Sequence, residues 1–404
     1  MTKQIEVLDA LPGCGKTYAA FQHIADNPGK PWLYLTPTLA ELKTRVPEEC
    51  TKKILVFNIL GEDTEDKSEE VLKAFKNREN VACTHALMLR FQDRHIEEIV
   101  KGEYQVVCDE ELNLISNFPI TKQDSDFLLA HKLIEVSEDD GKVTFTDKDM
   151  SLDAKYGDVK QLADMGCLYA AKRKQSMLVT QISPRLINAA DRFILLTYQY
   201  KGSIMQTFME MQGYKHKELN LPLKKTPKEI VQGLNNLIEF IETPSVKAVQ
   251  RKHSLSKSWW DVTSTEKDRE EVTKAIRSVI KASKESIENV IYTLPKNRVH
   301  KGNKTLIKTE YIRKDNFLSC STRSTCEYEY KSLAIHAYAL YPPQAVKAYL
   351  QDMGHTVDDD VYALNMLIQW LFRTRIRNDE PVKVSLLSKK MNVLFKTWLL
   401  ESMK

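Results

Sequence analysis

No apolar run in this 404-residue chain approaches the roughly 20 residues needed to span a bilayer, which argues against a membrane-spanning helix. The opening Met1-Thr2-Lys3-Gln4 runs straight into an apolar segment, so a cleaved leader is not expected. Seven cysteines are scattered with no Cys-x-x-Cys pair, which argues against a zinc site or a disulfide framework. A reducing, cytoplasmic setting is therefore expected. There is no low-complexity segment and no internal repeat. Neither sign of charge dominates, because 59 basic residues face 55 acidic ones. Any nucleic-acid surface must then come from local placement of charge. What remains is ordinary globular composition, 42% hydrophobic and 28% charged, in a chain long enough for two or three cores.

The clearest chemistry lies in Ala10-Leu11-Pro12-Gly13-Cys14-Gly15-Lys16-Thr17. Ahead of it, Ile5-Glu6-Val7-Leu8 reads as a short buried strand; behind it, Tyr18-Ala19-Ala20-Phe21 reads as a helix. A strand, a glycine-bearing loop and a helix N-terminus make a phosphate cradle. Gly13 and Gly15, flanking Cys14, permit the backbone angles that turn amide N–H groups toward phosphate oxygens. Lys16 is expected to reach the β- and γ-phosphates, and the Thr17 hydroxyl to hold magnesium.

The first 220 or so residues alternate apolar strands with helical stretches, the rhythm of a parallel α/β sheet. Candidate strands are Pro31–Thr36, Ile54–Phe57, Val81–Thr84, Tyr104–Asp109 and Arg192–Thr197. Between Glu111 and Ile187 the rhythm breaks into a polar, irregular segment. It reads as an insertion or subdomain hung on the first core, equally a nucleic-acid contact or a solvated surface. The Pro- and Lys-containing stretch Leu219–Pro227 is the candidate domain boundary. A lysine-rich helical stretch follows to about Ser286, then strand-like Val290–Thr293 and Phe317–Cys320, and a helical tail.

Asp109-Glu110-Glu111 sits where the apolar strand Val106-Val107-Cys108 stops. Triphosphate hydrolysis needs one carboxylate at such a strand end to hold magnesium through water, and a second to polarise the attacking water. Asp109 is the expected metal-side group and Glu110 the expected base. Positive charge on the γ-phosphate is also needed, and an arginine there is worth about 10³–10⁵ in rate. Asp358-Asp359-Asp360 reads as the N-cap of a helix running from Val361 to about Arg377. On one ideal helix Gln369, Arg373 and Arg377 share a stripe, and Leu364, Leu367 and Leu371 face the other way. A plain charged helix face is the alternative.

The spelling Ala-x-x-Gly-x-Gly-Lys-Thr resembles motif I of superfamily 2 helicases and translocases, and further segments follow in that family's order. Thr36-Pro37-Thr38 resembles motif Ia, and Thr84-His85-Ala86-Leu87 resembles the Thr-His segment before the acidic motif. Leu195-Leu196-Thr197-Tyr198 resembles motif III, with Tyr198 for the usual Ala or Thr. Ser319-Cys320-Ser321-Thr322-Arg323-Ser324-Thr325 resembles motif V. Gln369-x-x-x-Arg373-x-x-x-Arg377 resembles motif VI, with Phe372 for the usual glycine and the last arginine one residue later. The likeness is to the helicase-like proteins that many bacterial viruses encode.

That resemblance implies an α/β protein of two RecA-like P-loop lobes with parallel sheets. Lobe one would span residues 1–220, with a polar insertion at about 115–187; lobe two would span 221–404 and carry a helical segment and the arginine helix. It implies ATP and Mg2+ as cofactors. Lys16, Glu110, Gln369, Arg373 and Arg377 would be catalytic; Gly13, Cys14, Gly15, Lys16 and Thr17 would bind nucleotide; Thr17 and Asp109 would serve the metal. Thr36, Thr38, Thr84, Thr322 and Arg323 would meet nucleic acid, DNA by the viral likeness. A replication or recombination protein is an expected partner, and a membrane is not. Only nine residues precede Ala10, so the upstream glutamine element of the DEAD-box branch is not present in full and nucleotide choice is expected to be loose. His85 and the pair Trp259-Trp260 are expected to be structural. Two other readings stay open: a viral DNA-packaging-type ATPase, and a nucleotide-gated nucleic-acid-binding switch protein.

Overall fold

Apolar runs of four to six residues, each stopped by a polar or turn residue, build five of the seven strands of the first sheet; its two edge strands are the pair Asn58-Ile59 and the wholly polar Lys215–Glu218. The computed structural model describes residues 4–60, 67–296, 314–320, 322 and 327–402. Seven strands pair in parallel: β1 (Gln4–Asp9), β2 (Trp32–Thr36), β3 (Asn58–Ile59), β4 (Val81–Thr84), β5 (Gln105–Asp109), β11 (Arg192–Thr197) and β12 (Lys215–Glu218). Their order is β12-β1-β11-β5-β2-β4-β3. Every residue of β2 and β4 is buried, which a sheet covered on both faces requires and an alternating strand would not give.

The register matters more than the order. Asp9 stands opposite Thr197, Leu196 opposite Asp109, Leu35 opposite Cys108, and Thr36 opposite Thr84. Thus β2, β4, β5 and β11 end with their candidate residues on the same carboxyl edge of the sheet, where α/β folds present their ligand-binding loops.

Two sequence expectations fail in this first half. Ile54–Phe57 is no strand. The helix Leu39–Lys53 runs up to Ile54, which takes the left-handed conformation (φ 55°) that closes a helix C-terminus, and the edge strand β3 starts only at Asn58. Nor is the stretch after Glu111 irregular. It holds an antiparallel sheet of β6 (Ile115–Asn117), β10 (Lys174–Gln181) and β9 (Leu168–Ala171), and a ribbon of β7 (Ile134–Val136) with β8 (Val143–Phe145). Phe118, Leu128, Val143, Phe145, Leu168 and Leu178 give it a core of its own.

A second parallel sheet, in the order β13-β16-β15-β14, is built from β13 (Ile238–Phe240), β14 (Val290–Thr293), β15 (Leu333–His336) and β16 (Val382–Leu386). Phe317–Cys320 contributes only an isolated bridge at Phe317, to Tyr292. The helix Glu266–Ser283 starts at a Thr265–Asp268 capping box. It buries Val272, Ala275, Ile276 and Val279, spaced as one helical face, in the core that also takes Tyr292 and Ile335. Trp259 and Trp260 lie in that same core, 8% and 1% exposed, and Trp260 Nε1 donates to Ala337 O at 3.2 Å.

The described chain groups into two compact units that do not follow sequence order. One takes Met1–Asp9, Ala20–Leu221 and Pro342–Asp359; the other takes Ala10–Ala19, Pro222–Tyr341 and Asp360–Lys404. The late segment in the first unit carries the helix Gln344–Asp352, which seals the β6-β10-β9 sheet. Tyr349, 2% exposed, donates its hydroxyl to Asp140 O at 3.0 Å and meets Tyr169 edge-on. Asp352 accepts the Arg173 backbone N–H at 3.0 Å.

Candidate nucleotide site

β1 stops at Asp9, and the helix Lys16–Asp26 starts seven residues later. The turn between them needs φ values of 85° at Gly13 and 90° at Gly15, a region that side-chain-bearing residues avoid. The Lys16 ammonium lies across the mouth of this loop, donating to Ala10 O at 2.6 Å and Leu11 O at 3.1 Å. Thr17 is buried at 5% exposure. Cys14 is fully buried, and burial pushes its thiol pKa up, so it packs the loop as a neutral side chain. Within the unit that contains the loop, the Lys224 backbone N–H donates to Cys14 O at 3.0 Å. Its side-chain stem lies 3.0 Å from where a Cβ on Gly15 would stand, and its ammonium sits 4.2 Å from the Tyr18 ring centre. Sequence reasoning saw Lys224 only as a linker residue; nothing local marks it.

At the carboxyl edge of the first sheet, Asp109 is 7% exposed and its Oδ2 accepts the Tyr34 hydroxyl at 2.6 Å. Glu110 takes a left-handed φ of 67°, and its N–H donates to Leu196 O at 2.9 Å. Such a backbone on a non-glycine residue costs about 1–3 kcal/mol and is held by its surroundings. The Thr197 hydroxyl donates to Glu111 Oε1 at 3.3 Å, tying the end of β11 to the acidic segment. The Asp9 carboxylate accepts the N–H groups of Gln199 (2.7 Å) and Tyr200 (2.9 Å), tying β11 likewise to the end of β1. His85 Nε2 lies 3.6 Å from Cys108 Sγ.

The single helical stripe expected for Gln369, Arg373 and Arg377 is not formed. The helix spans Asp359–Leu371, and the chain then tightens, with Arg373 N–H donating to Trp370 O (3.1 Å) and Thr374 N–H to Leu371 O (3.0 Å). The Thr374 hydroxyl closes the end on Leu371 O at 2.7 Å. All five residues Trp370–Thr374 are buried. Arg373 lies in this turn at 6% exposure. Arg377 lies in the separate 3₁₀ turn Arg375–Asn378, with Nε 3.4 Å from Glu329 Oε1. Gln369 remains on the helix and donates to Asn365 Oδ1. Asp359 begins the helix and accepts the Lys347 ammonium at 2.6 Å.

The candidate nucleic-acid residues are spread differently. Thr36 is 1% exposed, and its hydroxyl donates to Glu41 Oε2 at 3.1 Å. Thr38 and Thr84 cap helices, accepting the N–H groups of Glu41 (3.4 Å) and Leu87 (3.2 Å). Thr322 is exposed, and Arg323 lies outside the described residues.

A solved apo XPD chain superposes on this one with a TM-score of 0.54 at 12% identity, covering 99% of this chain and 95% of that one. The two chains share a fold. Family models of a YonV C-terminal Rossmann-like domain and a YonV middle domain match residues 232–399 and 115–179. Over 431 aligned residues the chain is 24% identical to the SPbeta prophage-derived uncharacterized protein YonV of Bacillus subtilis strain 168, covering 98% of this chain and 99% of that protein. The middle-domain match falls on the inserted antiparallel sheet, and the Rossmann-like match on the second parallel sheet.

Taken unit by unit, the residues present suit the phosphates and the metal of a magnesium–nucleotide complex. A positive-φ glycine pair opens backbone amides toward an anion. Lys16 supplies a cation at the loop mouth, and Asp109 is a buried carboxylate at a strand end. Among the described residues no cluster of three or more His, Cys, Asp or Glu side chains suits a directly held metal ion. Among them, too, no helix is long and apolar enough to cross a membrane.

Proposed function

We propose that this chain is an ATP-dependent nucleic-acid helicase or translocase that moves along or remodels DNA. The observation that carries the reading is the Gly13–Gly15 phosphate loop, followed by Lys16 and Thr17 at a helix start, within a superfamily 2 fold. Lys16 would bind the β- and γ-phosphates. Thr17, with Asp109 through water, would hold Mg2+, which supplies charge neutralisation on the phosphates. Glu110 would orient and deprotonate the attacking water, and Arg373 would stabilise charge on the transferred phosphoryl group. Gln369 and Arg377 would assist. Thr38, Thr84, Thr322 and Arg323 lie in segments that would track the nucleic-acid backbone. For Thr36 and Thr84, both buried, contact through main-chain N–H groups fits better than contact through the hydroxyl.

The test is binding of labelled single-stranded DNA, single-stranded RNA and duplex by the full chain, without nucleotide, with ADP, and with a non-hydrolysable ATP analogue. A motor of this kind gives an affinity that changes with nucleotide state and falls steeply with salt. Binding blind to nucleotide, or no binding to any polymer, overturns the reading.

A further inference from the structure

Tyr34 is a tyrosine in the middle of a wholly buried strand, and its hydroxyl does one thing: it donates to Asp109 Oδ2 at 2.6 Å. The ring is held for that purpose. Phe21 packs against it with ring centres 4.7 Å apart, and Phe57 backs Phe21 at 5.9 Å. Tyr34 is 1% exposed and Asp109 7%, so water cannot readily replace the bond. β2 and β5 are direct neighbours, with Tyr34 opposite Val107, two residues before the carboxylate. The phenol therefore reaches across the strand pair to the group expected to serve the metal. A carboxylate with one oxygen held by a buried donor has its rotamer set. The sequence offers no hint of this contact, because the two residues are 75 positions apart.

We infer that Tyr34 is a positioning residue for the metal-side carboxylate: its hydroxyl orients Asp109 and so sets how tightly the site holds Mg2+ with nucleotide. The inference rests on the nucleotide-site reading above. Outer partners of metal-serving groups typically contribute about 10–100-fold to metal affinity. Because Asp109 would act through water, the low end applies here.

The experiment is a Mg2+ titration of fluorescent ATP-analogue binding by the full-length wild type, Tyr34→Phe and Lys16→Ala, with thermal unfolding of each. Tyr34→Phe keeps the ring and its packing on Phe21 and removes only the hydroxyl. The expected result is an approximately 10-fold higher Mg2+ midpoint in Tyr34→Phe, with analogue affinity in excess EDTA unchanged. Asp109→Asn, which keeps a carbonyl acceptor for Tyr34, should raise the midpoint at least as far. A wild type that binds the analogue with the same Mg2+ midpoint as Tyr34→Phe overturns this inference and leaves the nucleotide site standing. A wild type that binds no more analogue than Lys16→Ala overturns both. A shift in analogue affinity of equal size with and without Mg2+ assigns Tyr34 a purely structural role and also overturns the inference.

Discussion

Replacing Gly15 by alanine puts the phosphate loop to a quantitative test. Gly15 has φ 90°, and a Cβ built there would lie 3.0 Å from Lys224 Cγ and 3.1 Å from its Cβ. The Lys224 stem can yield a few tenths of an ångström, so the lasting cost is backbone strain, about 1–3 kcal/mol. The chain has two ways to meet that cost. If the loop keeps φ near 90°, the folded state is destabilised by that amount, which lowers Tm by about 2–12 °C at 2–4 °C per kcal/mol. If the loop relaxes to negative φ, its amides turn away from the ligand and nucleotide affinity falls about 5–150-fold at 1.4 kcal/mol per tenfold. Gly29→Ala is the control, because nothing lies within 4 Å of a Cβ there and its φ is not left-handed. Thermal unfolding and ATP-analogue binding, measured on both variants, decide the matter. Gly15→Ala with wild-type Tm and affinity within twofold of wild type would refute the claim that a strained loop builds the cradle.

Other perturbations follow from the same structure. Tyr349→Ala should destabilise the first unit by about 3–5 kcal/mol, because it empties a site 2% exposed beneath the inserted sheet. Tyr349→Phe keeps the ring and loses the hydroxyl's bond to Asp140 O, about 0.5–1.5 kcal/mol, and limited proteolysis of the 115–187 region should rank the two accordingly. Glu110→Gln should leave nucleotide binding within a few-fold of wild type while turnover falls about 10²–10⁴-fold, seen by single-turnover phosphate release. His336 is fully buried beside Cys320 and Trp370, and burial lowers its pKa from 6.5 to about 3. Above pH 6.5 it is neutral folded or unfolded; between 6.5 and 3 only the unfolded chain takes the proton, so stability drops as pH falls through that window. Denaturant unfolding at pH 7, 6 and 5 should show a decline that His336→Gln flattens by up to about 1.4 kcal/mol per pH unit.

Features set by a local rule were open to reading from sequence. Gly13 and Gly15 were expected in a conformation only glycine adopts readily, and both have it. The strands β2, β4, β5 and β11 are short apolar runs stopped by polar residues, and each was expected within a residue or two of its observed bounds. Features set by packing at a distance were not readable. β15 and β16 are four and five residues long, lie between helices, and become strands only by pairing with each other and with β14 and β13. The inserted sheet looked irregular because β7 and β8 are three residues each and their alternation is too short to register. Helical periodicity carried the arginine stripe past Leu371, since nothing local announced that five successive residues there would be buried. Tyr34 and Lys224 were invisible as site residues for the same reason: each reaches its partner through the fold.

The central claim is tested most directly by steady-state ATP turnover of wild type, Lys16→Ala and Arg373→Ala, with and without single-stranded DNA, single-stranded RNA and duplex. The account predicts turnover that one polymer stimulates, that Lys16→Ala abolishes with nucleotide binding, and that Arg373→Ala lowers about 10³-fold or more with nucleotide still bound. Turnover indifferent to every polymer would contradict it.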